Sequence, residues 1–512
     1  MGLGKVAAIT LLKNGRKGKN FEDMYEQQLS RNMSGQKKQV KILQFGTGVF
    51  LKGFVGDFIA TANDVAARED GADEAVEGMT KNGEAQIVVI KSTGDGATPT
   101  GAQPYYLRKR GLVNGEKHST TRRIDIIAET LHAKSSWELI LEYGRSAQVL
   151  VVVSNTTELG LNYLEETMGV EAPKSYPAKL TKILMERFAC LGDTEESGLI
   201  VLPCELLVDN GSILKAAVQK NGEYNGFGTG FAAWVDRRVR FCNTLVDRIV
   251  TGMATEKDAG EINEAGGTNG WPVIDAEVYA LWAIEGDEKL RADLWFCAAN
   301  DGLVVVAPSI AIHRELKLRL LNGTHTLMTP ICLLAGHKVV ADAMTDQKIR
   351  DYVEKSIEKG LIPLMEEDEV MKIDFGKKVV DRFANPFIAH ELHKIAAQST
   401  LKIRNRILPL IQKGLADTRA IDETLIMGIG AWLALAKVTK HVGGKFYSTV
   451  AGEDFEIIDE KASLYWQIWN AAESDAAALQ AVISSETLWG DGLECMRRLE
   501  DRLMAAAVAN LQ

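Results

Sequence analysis

The stretch that most limits the fold is Val40–Phe45, which runs directly into Gly46-Thr47-Gly48 and then into a helical pattern through Phe54, Phe58 and Ile59. A short apolar strand, a tight glycine turn and a helix follow one another with no room for anything else. Further strand candidates are Gln86–Lys91, Ile124–Ala128, Gln148–Ser154 and Leu199–Pro203, with helical segments between most of them, one near Tyr176–Cys190. Continuous β-branched runs that alternate with helices predict a mainly parallel sheet covered on both faces. After Gly302–Ala307 the pattern changes to long helical stretches, Ala-rich at Met427–Lys440 and Ser474–Ser485. The expected architecture is therefore an α/β, dinucleotide-binding domain over 37–300 and a mostly α-helical substrate and catalytic domain over 301–512. An N-terminal extension, 1–36, precedes them. The polar, Gly-rich interval Arg68–Glu84 reads as a loop or a frayed helix end.

Bulk properties exclude several classes. A chain of 512 residues has ample core for two or three domains. A net charge of −10, with no Lys/Arg stripe interleaved with aromatics, argues against a nucleic-acid partner. An anionic substrate would need local cations. The six cysteines include no CxxC pair, which points to reduced thiols in the cytoplasm and away from disulfides or zinc. No apolar run approaches a membrane span. Val6–Leu12 faintly resembles a signal h-region but lacks a small-residue cleavage site, and Lys13, Arg16, Lys17 and Lys19 suit a solvated tail.

At Gly46-x-Gly48, strand, turn and helix start together would offer backbone N–H groups to a pyrophosphate. The third glycine of the usual fingerprint is missing: Leu51 holds its place and Gly53 is out of register. The acid that often binds the adenosine ribose is also absent, since Lys91, Ser92 and Thr93 occupy that neighbourhood and Asp95 lies beyond. NAD and its 2′-phosphorylated form both stay open on these residues alone.

Lys317-Leu-Arg-Leu-Leu-Asn-Gly-Thr-His325 is the chemical counterpart. On an α-helix turning about 100° per residue, Lys317, Asn322 and His325 fall at about 0°, 140° and 80°, on one face. Leu316, Leu320 and Leu327 would anchor the opposite face in the core. An amine, an amide and an imidazole converging on one point suit a carbonyl/alcohol redox centre, with the amine moving the proton and the others polarising the oxygen. The competing structural account is an amphipathic helix with a solvated polar face.

Taken in order, five segments resemble the polyol-specific long-chain dehydrogenases, the mannitol dehydrogenase family. Gly46-Thr-Gly-Val-Phe-Leu-Lys-Gly-Phe54 is similar to the family's GxGxF element and Ser154-Asn-Thr-Thr-Glu158 to its TxTE strand end. Asn243-Thr-Leu-Val-Asp-Arg-Ile249, Lys317…Asn322…His325 and Arg382-Phe-Ala-Asn-Pro386 are similar to its NSxVDRI, K-x4-N-x2-H and RFxNP segments. The likeness covers about residues 40–410 and leaves the first 36 outside. It implies a Rossmann-like domain, NAD as cofactor, and Gly46, Gly48, Phe50, Asn155, Thr156 and Glu158 as cofactor contacts. It implies metal-free hydride transfer with Lys317 as acid/base and Asn322 and His325 on the oxygen.

Leu202-Pro-Cys-Glu-Leu-Leu207 and the wording around Asn155, Ile284 and Lys317 are similar to the family's branch acting on the keto-hexuronate tagaturonate. Polyol and fructuronate branches usually carry Cys-Asp-Asn where this chain has Cys204-Glu205-Leu206. Asn210 would then either replace the lost asparagine at the substrate or serve as a turn residue before a Ser212–Lys220 helix. Asp247 would order the lysine or a water behind it, or pair structurally with Arg248 or Arg238. A uronate carboxylate calls for a cation, for which Arg319, Lys402, Arg404 and Arg406 are candidates.

Other residues weigh less. His390 and His393 stand three apart, but no third ligand suggests itself, so a solvated or partly buried helix face is the expectation there. No GxSxG elbow or Walker loop supports acyl transfer or NTP hydrolysis. Fructuronate reduction, polyol oxidation and a catalytically inactive nucleotide sensor are the alternative functions, and the sensor has no need of a proton-transfer lysine.

Overall fold

The computed structural model describes residues 39–68, 85–94 and 101–511. The N-terminal extension, the interval after Arg68 and Asp95 lie outside the described residues. The chain divides into two compact units. The first takes the described residues up to Arg108 together with Thr121–Ala276 and Ala280–Ile310. The second takes Lys109–Thr120, Glu277–Tyr279 and the chain from Ala311 on. A boundary near residue 300 anticipates neither short insertion.

A six-stranded sheet organises the first unit. Its strands are β1 (Gln39–Phe45), β2 (Ala85–Lys91), β5 (Ile127–His132), β6 (Val151–Ser154), β7 (Leu199–Pro203) and β8 (Val239–Phe241), in the order β5-β2-β1-β6-β7-β8. Every described pairing in it is parallel. Alternation along each strand feeds two cores. Ile42, Ile87, Val89, Val151, Val153 and Leu202 pack with Phe54 and Phe58 on one face. Leu43, Phe45, Val88, Ile90, Val152 and Val201 pack with Trp234 and Leu180 on the other. Both faces are buried, so the strands carry no polar alternation and read as unbroken apolar runs.

One expected strand moves. Ile124–Ala128 is divided between the end of β4 (Glu116–Ile124) and the start of β5. β4 closes a hairpin with β3 (Tyr105–Val113) through Asn114-Gly115, both at positive φ (53° and 80°). An Asn-Gly pair at positive φ is the tight hairpin turn that matches strand twist. Both turn N–H groups donate to the Asp381 carboxylate, at 2.7 and 3.0 Å.

The second unit is built around the helix Glu423–Leu435, in which every residue except Glu423 and Met427 is buried. A helix apolar all round must be wrapped by others, and its core includes Leu320, Leu327, Ile357, Leu433 and Leu503. The helical expectation for this half needs one correction. A three-stranded antiparallel meander, Lys440–Val442, Lys445–Val450 and Glu453–Glu456, interrupts it. Its outer residues are mostly charged, and it lacks the apolar alternation that marks a half-buried strand.

Candidate active site

In the first unit, β1 lies between β2 and β6, so the strand order reverses beside it. Open α/β sheets bind their ligands at the carboxyl ends of the strands at such a reversal. Gly46 ends β1 with φ +128°, and its N–H donates to the Ile90 carbonyl at 3.2 Å. A Cβ there would stand 3.0 Å from the Asn155 carbonyl oxygen, so only glycine fits. Gly48 is exposed, and a Cβ on it would meet nothing within 4 Å. The turn is thus close-packed below and open above, as a pyrophosphate approach requires.

Asn155 and Thr156 are half-buried just beyond β6, where the Asn155 N–H donates to the Phe45 carbonyl at 3.1 Å. Glu158 begins a short 3₁₀ turn, and its side chain lies outside the described residues. Phe50 stacks on Phe54, with centroids 5.1 Å apart. Lys91 ends β2 and Ser92 and Thr93 follow it, and none of the three carries a carboxylate.

Two candidate substrate residues of the first unit are buried. Asn210 is fully buried and saturated. Its amide donates to the carbonyls of Pro203, Glu205 and Thr244, and its oxygen accepts from the N–H groups of Gly211 and Thr244. It knits β7 to β9 (Thr244–Asp247) and has no capacity left for a substrate. Asp247 is buried at 3% exposure. Of the arginines named with it, Arg248 pairs with Asp57 at 2.8 Å and Arg238 with Asp193 at 2.9 Å.

The second unit holds the lysine, and its helix is not a plain α-helix. Ala311–Leu316 is α-helical, Lys317–Gly323 is a π-helix and Thr324–Leu334 is α-helical again. A π-turn joins residue i to i+5, which is the separation of Lys317 and Asn322. The wider turn brings those positions nearer to one line than the roughly 140° separation of α-helical geometry. Leu316, Leu320 and Leu327 are buried at 2%, 0% and 1% exposure, as the pattern required. Lys317 and Asn322 are half-buried.

His325 is buried, stacked on Phe383 at 4.0 Å and edge-on to His390 at 5.0 Å. Its Nε2 has no hydrogen-bond partner among the described residues. Burial, then the neighbouring His390, Arg382, Arg406 and Lys402, hold its pKa well below the usual imidazole value, so it is neutral. Burial and Lys402 lower His390 as well. His390 is partly buried, as one of the two readings had it, but it lies just before the helix Leu392–Ala396 and against His325. Among the described residues no cluster of three His, Cys, Asp or Glu could hold a metal.

The cations sort themselves. Arg319 binds Glu315 through Nε at 2.9 Å and the carbonyls of Asn405 and Arg406 through Nη1, both at 2.8 Å, which ties it to the end of a neighbouring helix. Arg382 forms a buried pair with Glu277, at 2.8 and 3.0 Å, above the Tyr279 ring. Arg406 donates to the Asn322 carbonyl and to Thr326 Oγ1, each at 3.1 Å. Lys402 donates to the Ile395 carbonyl at 2.7 Å, and burial first, then Arg406, brings its pKa down to about 8. Neither Arg406 nor Lys402 has an ion-paired carboxylate among the described residues. Asp459 exerts a weaker, opposing pull on Lys402, and the positive charges of Lys402 and Arg406 are felt at His325.

Residues 40–294 match the profile of the mannitol dehydrogenase Rossmann domain, and 309–510 that of the mannitol dehydrogenase C-terminal domain. The altronate oxidoreductase of Halalkalibacterium halodurans is 33% identical over 489 residues, 93% of this chain and 92% of that protein. An Escherichia coli altronate oxidoreductase is 30% identical over 458 residues, 89% of this chain and 90% of that one. Among solved structures, Pseudomonas fluorescens mannitol 2-dehydrogenase, in a ternary complex with NAD and D-mannitol, superposes with a TM-score of 0.59 at 18% identity. That match covers 93% of this chain and 92% of the other. A substrate-free D-sorbitol dehydrogenase gives 0.66 at 17%, covering 92% and 95%. At these identities the structural likeness speaks for the fold.

Proposed function

The chain belongs to the mannitol dehydrogenase family, and from that premise we propose that it interconverts a keto-hexuronate and its hydroxy acid, tagaturonate and altronate, with NAD as cofactor. The observation that carries the reading is His325. A buried imidazole nitrogen without a partner, on the helix that bears Lys317 and Asn322, calls for a polar atom from outside the chain. The residues fit the cofactor as well, through the open glycine turn at the sheet's switch point. Gly46, Gly48, Asn155 and Thr156 would hold it, and when bound it supplies or accepts the hydride at the substrate carbon.

The rest falls to the chain. Lys317 gives its proton to the oxygen as the carbonyl is reduced and takes one back when the alcohol is oxidised. Asn322 and neutral His325 donate to the same oxygen, each worth about 3 kcal/mol of transition-state stabilisation when well placed. A neutral imidazole polarises the oxygen without placing a second positive charge beside the ammonium. Arg406 and Lys402 receive the uronate carboxylate, which a neutral polyol lacks.

The test is NADH oxidation with tagaturonate, fructuronate and fructose, repeated with NADPH. Tagaturonate should be turned over with the highest kcat/KM, and fructose should trail by at least about tenfold, the loss of one charge-assisted contact. Preference for the uncharged ketose would overturn the carboxylate assignment. Preference for fructuronate would keep the class and change the substrate.

A further inference from the structure

We propose that Glu205 is a positioning residue of the cofactor crevice, its buried carboxylate fixing the turn after β6 against the glycine turn after β1. This rests on the reading of that crevice as a dinucleotide site. Glu205 is 3% exposed. One of its oxygens accepts the Thr156 N–H at 2.8 Å and the Thr156 hydroxyl at 3.0 Å, and the other accepts the Ser154 hydroxyl at 3.1 Å. An ionised carboxylate is purely an acceptor, so three donors from one turn suit that state. Asn155, between those donors, points its carbonyl at Gly46, where a Cβ would stand 3.0 Å away. The Cys204 N–H returns to the Ser154 carbonyl at 2.7 Å. Glu205 therefore clamps both ends of a three-residue turn whose middle carbonyl forms the floor under the glycine loop. Release of the clamp lets that carbonyl move, and with it the surface on which a pyrophosphate would rest.

Stability alone gives no reason for a charge in this place. Among the described residues no lysine, arginine or histidine pairs with Glu205. The titratable groups that face it are Tyr176 and Cys204, and burial pushes both upward, so both stay neutral. A buried carboxylate without a counter-ion is costly, and a well-packed apolar residue is usually the more stable choice. Burial also raises the Glu205 pKa above the usual carboxylate range, against the pull of the Thr156 and Ser154 donors. Acid should therefore protonate Glu205 ahead of exposed carboxylates and loosen the clamp.

The experiment titrates NADH into the full-length protein by fluorescence across pH, for the wild type, Glu205→Ala, Glu205→Gln and Gly48→Val, and adds steady-state kinetics. Wild-type NADH Kd should rise as the pH falls toward the Glu205 pKa. Glu205→Ala should weaken NADH about tenfold or more, with a rise in NADH KM that exceeds any change in kcat. Glu205→Gln, which keeps an acceptor for Thr156, should lie between and lose the pH dependence. If the Ala variant does not fold, the Gln variant fills the same volume and carries the test. Unchanged Kd and pH dependence in the Glu205 variants, with NADH binding lost in Gly48→Val, overturns the role of Glu205. Undiminished NADH binding in Gly48→Val overturns the reading of the crevice itself, because a branched side chain there has room to fold and obstructs only the ligand.

Discussion

At the residue scale, the grouping of Lys317, Asn322 and His325 on one continuous helical segment is legible from spacing and likeness, but what surrounds them is not. Arg382, Phe383 and Asn385 of the RFxNP segment each act on something far away in sequence. Arg382 neutralises buried Glu277, Phe383 stacks under His325, and the Asn385 amide donates to the Arg110 carbonyl at 3.2 Å. The expected consequence of removing the proton carrier is specific. Lys317→Met keeps most of the stem's packing and should lower kcat roughly 10²–10⁴-fold in both directions. NADH affinity by titration should be retained. Near wild-type turnover in that variant would reduce the segment to a core helix.

At the scale of elements, the π-helix is the feature that sequence periodicity missed. The five-residue spacing of Lys317 and Asn322 was placed on an α-helical wheel, because nothing in KLRLLNG marks a local change of hydrogen-bonding register. In that turn Gly323 lies close to Ile407, and the adjacent Leu320 and Leu321 are both buried. The hairpin turn at Asn114-Gly115 was the opposite case, a strong local signal overlooked because the flanking β4 residues are polar and mostly exposed. Close helix contact supplies a stability test. A Cβ on Gly430 would lie 2.6 Å from Ala506 Cβ and 3.0 Å from backbone atoms of Glu500–Leu511, so rotation of a side chain cannot relieve it. Gly430→Ala should destabilise the second unit by about 1–2 kcal/mol net, overpacking outweighing the gain in helix propensity. Gly260→Ala, on the helix Glu256–Ala265 with open space around it, should be neutral or stabilising by up to about 1 kcal/mol. Urea unfolding separates the two, and equal midpoints would remove the packing argument.

On the scale of the whole molecule, the two units differ in how they meet acid. His313, His325 and His390, all in the second unit, have pKa values lowered by burial. The unfolded chain therefore binds protons near pH 6.5 that the folded unit refuses, and stability falls as the pH drops from there. Unfolding midpoints measured from pH 8 to 5 should decline, and His390→Asn should flatten the slope. A decline of the same slope in that variant would place the proton uptake elsewhere. No helix among the described residues is long and apolar enough to cross a membrane. By itself the sequence determined the parallel sheet, the glycine turn, the helical second half and the helix that bears Lys317, because each is written in local periodicity, apolar run length or a short motif. Only the tertiary structure decided that Asn210 is saturated, that Arg319 ties to a neighbouring helix end, that His390 packs against His325, that the Glu205 carboxylate accepts from Ser154 and Thr156 and that Lys317 sits on a π-helix. Those outcomes depend on which distant donor, acceptor or side chain arrives beside a residue, and a linear pattern carries no record of its future neighbours.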